Sequence, residues 1–304
     1  MQQENETGKI ALEGAGAAGE GRLVPLAPGL HFIATPIGAA RDITLRALDI
    51  LRSADVLAAE DTRSLRHLME IHGVPLAGRK IVAYHDHNGE AMRPRLLRAL
   101  QDGQSVAYAS EAGTPLVADP GFQLGRSVIA EGYRVYAAPG PSAVLAALTV
   151  SGLPSDRFLF AGFAPNASAA RQKWLATFRD IPATLVFYES PKRVNAMLRD
   201  CVKTFGEHRE AALCRELTKR FEEVRRGTLQ DIAQGLEDSP VKGEIVVLVD
   251  RAHGPAAGPE ELDKMLRLAL ARQSMKDAVS EVAQALGLPR REVYQAALEM
   301  EKKT

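Results

Sequence analysis

Leu30-His-Phe-Ile-Ala-Thr35-Pro-Ile-Gly38-Ala-Ala-Arg41-Asp42 passes from a short apolar run into a Pro/Gly turn, and a helical period with Leu45, Leu48 and Leu51 on one stripe follows at once. A strand that ends in a glycine turn and feeds an amphipathic helix opens a parallel βα unit. The alternation repeats along the chain. Strands are expected at Leu30–Thr35, Asp55–Ala59, Lys80–Tyr84, Ser105–Ala109 and Tyr133–Ala137, with helical periods such as Ile43–Ser53 between them. Parallel strands joined by crossover helices predict a doubly wound open sheet.

After a helix at Ala143–Val150 the chain turns at Gly152–Pro154 and strand character restarts. Arg157–Phe163, Thr184–Tyr188, Ala211–Cys214, Phe221–Arg226 and Glu244–Asp250 predict a second sheet. No full helix separates Ala211 from Arg226, so that sheet is expected to be mixed. His253-Gly-Pro-Ala-Ala-Gly-Pro259 reads as a linker, and the residues beyond it as helices. Ser274–Leu286 keeps Ala278, Val282 and Leu286 on one face, Gly287 stops it, and Pro289 starts a helix carrying Val293, Ala297 and Met300. That order fits either a helix-turn-helix or a small packing module. The expected architecture is α/β: a leader at 1–28, an α/β domain at 29–152, a second α/β domain at 153–252 and a helical module at 253–304.

Composition bounds the function. The chain has 304 residues, 46% apolar and 25% charged, with Lys+Arg and Asp+Glu equal at 38 each. This is a folded chain, and its balanced charge argues against broad, nonspecific nucleic-acid binding. Cys201 and Cys214 form neither a disulfide framework nor a metal knuckle. The leader, with five glycines between Gly8 and Gly21, has no period and no signal-peptide order and is expected to be disordered. With no apolar run of membrane-spanning length, the expected location is the cytoplasm.

In an open α/β sheet, ligands bind at the carboxyl ends of the strands. Three of the loops there are rich in Gly and Pro: Thr35-Pro-Ile-Gly38, Ser110-Glu-Ala-Gly-Thr-Pro115 running on to Gly121, and Ala138-Pro-Gly-Pro-Ser-Ala143. Gly38 allows close backbone approach, Asp42 or Thr44 can cap the next helix, and Ser142 precedes another helix start. Together they predict a pocket built from backbone. The chain has neither a GK[ST] phosphate loop nor a GxGxxG.

These loops belong to a longer series. Thr35–Gly38, Ala59-Glu-Asp-Thr-Arg63, His85-Asp-His-Asn88, Ala112-Gly-Thr-Pro115 with Asp119-Pro-Gly121, and Pro139-Gly-Pro-Ser142 come first. Leu153-Pro-Ser-Asp-Arg-Phe158, Phe187-Tyr-Glu-Ser190, Arg215-Glu-Leu-Thr-Lys219 and Lys242-Gly-Glu244 follow. From about Leu30 to the C-terminus the chain resembles the 16S rRNA cytidine 2′-O-methyltransferase branch of the tetrapyrrole methylase superfamily. The resemblance implies two α/β domains, S-adenosylmethionine as cofactor in the cleft between them, a homodimer, and 16S rRNA of the small ribosomal subunit as partner. It implies cofactor contacts at Pro36, Ile37, Gly38, Thr114, Val117, Ser142, Ala143, Tyr188 and Gly243. Glu111 stands where that family usually has Asp, Ala39 where it has Asn, and Gly89 separates Asn88 from Glu90.

The chemistry of that class narrows the catalytic candidates. A ribose hydroxyl is a poor nucleophile, so a base, or a cation stabilising the developing alkoxide, should stand beside it. Glu60, Asp61, Glu111, Glu189 and Glu216 are candidate bases, with Arg215 and Lys219 as electrophilic partners. Glu189 and Lys219 are favoured. Arg63, His87, Asn88 and Arg193 are candidate RNA contacts. His85, Asp86 and His87 are too few to complete a metal site, and no metal is expected. From Glu189 to Arg226 there are ten Lys/Arg against seven Asp/Glu, a surplus that fits a phosphate-facing patch, extended by Arg171 and Lys173 beside Trp174. Two other readings are a small-molecule, tetrapyrrole-like methyltransferase and a non-catalytic nucleic-acid-binding regulator built around Ser274–Met300.

Overall fold

The computed structural model describes residues 25–117, 121–238, 241–252, 259–286, 288 and 290–303. Most of the expected leader (1–24), Asp119 and Pro120, linker residues 253–258, and the Gly287 stop and Pro289 start lie outside the described residues. The chain divides into two compact units after Ser142.

The first unit alternates strands β1 (Gly29–Ile33), β2 (Val56–Ala59), β3 (Ile81–Ala83), β4 (Ser105–Ala109) and β5 (Val135–Ala138) with helices α1 (Leu45–Ser53), α2 (Thr62–Ile71), α3 (Gly89–Gln101) and α4 (Gly121–Ala130). The sheet order is β3-β2-β4-β1-β5, every pair parallel. The central strands β1 and β4 are buried at every residue, as expected where helices cover both faces. Side-chain alternation sorts the core into two layers. Ile33, Ala107 and Ala109 pack with Leu48, Leu51, Leu65 and Met69 of α1 and α2. Phe32, Val106 and Tyr108 pack with Leu96, Leu100, Leu124 and Val128 of α3 and α4. Thr44, not Asp42, caps α1, its Oγ1 accepting from Ala47 N at 3.2 Å, while Asp42 ends a short 3-10 turn.

The second unit carries strands β6 (Phe158–Phe163), β7 (Thr184–Glu189), β8 (Glu210–Arg215), β9 (Glu223–Thr228) and β10 (Ile245–Val249). The order is β6-β7-β10-β8-β9, with β6 parallel to β7 and the other pairs antiparallel. The Ile-Val-Val-Leu-Val run of β10 lies at the centre, fully buried. Around the sheet are α5 (Ala143–Ser151), α6 (Ser168–Ala176), α7 (Val194–Phe205) and α8 (Leu229–Asp238). The packing of α5 on β8, β9 and β10 buries Val144, Ala147 and Leu148. The helices α9 (Pro259–Leu270), α10 (Met275–Leu286) and α11 (Arg290–Lys303) share a core of Leu266, Ala269, Ala278, Val279, Val282, Val293 and Ala297.

Cys201 and Cys214 are free and buried, and burial pushes both thiols up, Cys214 to about 11. No helix among the described residues is long and apolar enough to cross a membrane.

Candidate active site

The strand order creates a switch point in the first unit. β1 leads toward β2 on one side and β4 leads to β5 on the other, so two neighbouring strands send their crossovers in opposite directions, and open sheets bind ligands at such strand ends. The loops leaving these ends are fastened together. Thr35 and Gly113 exchange both backbone hydrogen bonds at 3.0 Å. Thr35 Oγ1 donates to Ser110 O at 3.3 Å, and Ser110 Oγ donates to Gly113 O at 2.6 Å. Thr114 Oγ1 donates to Pro141 O at 2.8 Å, tying in the loop after β5.

Glycine permits this close approach. Gly113 has φ +79°, and a Cβ there would stand 3.2 Å from Ile37 Cγ2. A Cβ on Gly140 would stand 2.9 Å from Ala34 Cβ. The result is one ledge that brings together Pro36, Ile37, Gly38, Thr114 and Ser142, with Ile37 buried and Gly38 exposed, while Val117 lies half-buried farther along the loop after β4. None of these residues carries a charge. Carboxylates lie nearby instead: Glu111 is exposed, and its backbone N–H donates to Glu60 Oε2 at 3.4 Å. A surface of backbone, apolar side chains and neighbouring carboxylates suits a nucleoside bearing a positive sulfonium, so these residues fit S-adenosylmethionine.

Along the same strand edge lie the expected RNA contacts of this unit. Arg63 is exposed on the first turn of α2, whose N-cap Asp61 accepts from Arg63 N and Ser64 N at 2.7 and 3.2 Å. His87 is exposed in the loop after β3. Asn88 turns inward: its Oδ1 accepts from His85 N at 2.9 Å and its Nδ2 donates to Ala83 O at 3.1 Å, so its amide shapes the loop.

The second unit gathers a charged cluster where β8 ends and β10 begins. The register pairs Ile245 with Arg215, which sets Glu244 beside Glu216. Glu216 N donates to Glu244 O, and Glu244 N donates to Glu216 Oε1, both at 2.9 Å. Lys219 Nζ lies 3.0 Å from Glu216 Oε1 and 3.0 Å from Glu244 Oε2. A tight turn carries Lys219 there, with Glu216 at φ +50° and Thr218 at φ +64°. Gly243, at φ +92°, leaves the space the carboxylate fills: a Cβ would lie 2.5 Å from Glu216 Cγ and closer still to Cδ and Oε1.

The Glu244 backbone N–H and the Lys219 ammonium hold the Glu216 carboxyl below its usual range. Partial burial opposes charge on Lys219, but its bonds to Glu244 and Glu216 outweigh that and raise it above the ordinary lysine value. Lys219 is therefore a fixed cation. Arg215 flanks the cluster, its Nε donating to Glu223 Oε2 at 3.0 Å and its NH1 to Lys242 O at 3.2 Å. Glu244, which sequence reasoning did not name as catalytic, completes the trio.

The remaining candidates of this unit sit nearer the core. Glu189 is 3% exposed, its Oε1 accepting from Ser190 N at 2.8 Å and its Oε2 3.2 Å from Arg193 NH2. Arg193 also donates to Ala164 O, so this pair is bound up in the fold. Tyr188 is half-buried against Phe160 and Phe163, with ring centroids at 4.8 and 5.7 Å, and burial raises its hydroxyl pKa. Ala143 opens α5.

The expected basic patch needs correction. Arg171 is not on it: its guanidinium is buried against Asp200, NH2–Oδ2 2.7 Å, because α6 packs on α7. Arg225 is taken by Glu223, and Arg226 donates to Val150 O. Trp174 packs on Phe178 and Phe187 in the core. Among the described residues, no three His, Cys, Asp or Glu side chains gather as a metal site.

Comparison with known proteins places these features. Residues 29–233 match the family model described as Tetrapyrrole (Corrin/Porphyrin) Methylases, and residues 256–301 match one described as the RsmI C-terminal HTH domain. The second match favours the helix-turn-helix reading over a bare packing module. The chain is 48% identical over 278 residues to "Ribosomal RNA small subunit methyltransferase I" of Mesorhizobium japonicum, covering 91% of this chain and 93% of that protein. It is 39% identical over 274 residues to the protein of the same name from Halalkalibacterium halodurans, covering 87% and 93%. A crystal structure of uroporphyrin-III C-methyltransferase from Thermus thermophilus, complexed with S-adenyl homocysteine, superposes with TM-score 0.52 at 21% identity, covering 73% of this chain and 97% of that one. At that identity the likeness speaks for the fold.

Proposed function

The chain belongs to the tetrapyrrole methylases, in the family of the ribosomal RNA small subunit methyltransferases I, and from that membership we propose that it methylates the ribose 2′-oxygen of a cytidine in 16S rRNA. The methyl donor is S-adenosylmethionine, and the acceptor lies in the decoding region of the small ribosomal subunit. The enzyme works in the cytoplasm as a homodimer. The observation that supports the cofactor site is the backbone ledge held by the Thr35–Gly113 bridge at the β1/β4 switch point.

When bound, S-adenosylmethionine supplies an electrophilic methyl group on a sulfonium. The task left to the protein is alignment, because the acceptor oxygen has to stand in line at about 3–3.5 Å. In the first unit, Pro36, Ile37, Gly38, Thr114, Val117 and Ser142 hold the cofactor. Glu111 and Glu60 favour its positive charge. In the second unit, Lys219 is the proposed electrophile. Held as an ammonium by Glu216 and Glu244, it takes no proton; it offsets negative charge growing on the ribose oxygen, and the proton that the hydroxyl loses passes to solvent. Glu216, with its lowered pKa, anchors the ammonium and does not act as the base. Arg215 steadies the Lys242–Glu244 segment through its bond to Lys242 O. Arg63 and His87, both exposed, line the approach of the RNA, Asn88 shapes the loop that carries His87, and the Glu189–Arg193 pair braces the end of β7.

The test is methyl transfer from labelled S-adenosylmethionine to three acceptors: small subunits from cells lacking this protein, naked 16S RNA, and a tetrapyrrole precursor. Label entering the RNA of the subunits is the expected result. Label on the tetrapyrrole alone would replace the rRNA assignment with the small-molecule one.

A further inference from the structure

A groove of about 510 Å³ runs between α10 and α11, lined by Met275, Lys276 and Val279 on one side and Arg290, Arg291 and Tyr294 on the other. Its chemistry is two-layered. Val279 is 1% exposed and forms an apolar floor, while Tyr294 is 46% exposed at its edge. Lys276, Arg290 and Arg291 form the rim, and none has an acidic partner among the described residues. The described acids of α10 are engaged elsewhere: Asp277 accepts from Ser274 Oγ at 2.6 Å, and Glu281 accepts from Arg272 and Gln273 at 2.9 and 2.6 Å. Three cations without an acidic partner among the described residues thus surround an accessible aromatic ring.

We infer that this groove is a second RNA-binding site, which takes a single-stranded segment with one base on Tyr294 and the adjoining phosphates on Arg290, Arg291 and Lys276. An unstacked base offers a flat face to an aromatic ring, and phosphates on either side of it fall to the cations. Arg290, Arg291 and Tyr294 occupy the first turns of the second helix of the helix-turn-helix, the part of such motifs that enters nucleic acid. The inference rests on the rRNA reading above and adds to it a tether on the C-terminal helices. The C-terminal module then holds a flanking strand while the methyl transfer takes place elsewhere.

The experiment measures binding of a fluorescein-labelled single-stranded RNA decamer to the full-length protein across a salt series. R290A/R291A is expected to weaken binding and flatten the slope of log Kd against log salt by about 1.4, since each phosphate contact on a single strand contributes about 0.7. Y294A is expected to raise Kd about tenfold, the loss of one base–aromatic stack, and Y294F to retain affinity. Cofactor affinity and melting temperature, read on the same proteins, show that the variants are folded. An unchanged slope in R290A/R291A, or equal affinities in Y294A and Y294F, overturns the inference. So does a loss of subunit binding without a loss of RNA binding, which would make the groove a protein-docking site. If wild-type protein methylates subunits while these variants bind RNA normally, only the groove is rejected. If wild-type protein neither binds RNA nor methylates subunits, the rRNA reading falls as well.

Discussion

Gly243→Ala attacks the point where backbone strain and the charged cluster meet. Gly243 has φ +92°, and an added Cβ would occupy the place of the Glu216 carboxyl group. An L-residue in this region costs about 1–2 kcal/mol. The carboxylate sits at the end of a flexible chain and can swing aside, so overlap itself is relieved cheaply. What is lost is its bonding: Glu216 Oε1 accepts from Glu244 N at 2.9 Å and from Lys219 Nζ at 3.0 Å. A hydrogen bond to a charged group contributes about 1.5–3 kcal/mol. The Lys219 bond is discounted, because that side chain is partly exposed and keeps Glu244 as a partner. The sum is about 3 kcal/mol, or about 6–12 °C in the melting of a unit of this size. Calorimetry and urea unfolding of wild type, G243A, E216A and the double variant measure it. In the E216A background only the strain remains, so G243A should cost about 1–2 kcal/mol there, a clear departure from additivity. Equal costs in the two backgrounds, or less than about 1 kcal/mol in the wild type, would refute the steric account.

Three further outcomes follow from the site. Lys219→Ala should lower kcat by about 10²-fold, as removal of a transition-state cation does, and leave cofactor Kd within a few-fold; lost cofactor binding with normal turnover at saturation would contradict the assignment. Gly113→Ala, at φ +79° and 3.2 Å from Ile37 Cγ2, should weaken S-adenosylmethionine binding about tenfold or more by calorimetric titration, and unchanged affinity would remove the ledge from the cofactor site. The stability difference between wild type and E216Q should be flat from about pH 6 to 9 and shrink as the pH falls below about 4.3, the ordinary glutamate value. The lowered Glu216 pKa makes its contribution one that is present above that value and lost on protonation, whereas the raised Lys219 pKa places its own loss only at strongly alkaline pH. A difference that instead grew on acidification would reverse the sign of the linkage.

Local pattern carried most of the fold. The strand expected at Ser105–Ala109 is β4 residue for residue, and Glu244–Asp250 holds the apolar run of β10. Where the reading slipped, a turn intervened. The Phe221–Arg226 strand begins at Glu223, because Glu216–Glu222 is spent on two successive turns, Lys219 N to Glu216 O and Glu222 N to Lys219 O, which leave Phe221 exposed. The ledge was legible from three Gly/Pro loops, but not the Thr35–Gly113 bridge, which depends on β4 lying beside β1. Glu244 was missed for the same reason: only the β8–β10 register brings it to Lys219, and register between strands distant in sequence leaves no trace in one chain. Arg171 misled because a cation beside Lys173 and Trp174 looks solvated until its buried partner Asp200, twenty-nine residues away, is known.

The central claim is that a ribose oxygen of small-subunit RNA receives the methyl group. Nucleoside mass spectrometry of 16S rRNA tests it most directly, using subunits from cells lacking this protein before and after incubation with the purified enzyme and S-adenosylmethionine. The account predicts that one 2′-O-methylcytidine is absent before incubation, appears after it, and maps to the decoding region. A methyl group on a base, or RNA unchanged by an enzyme that demonstrably binds the cofactor, would contradict it.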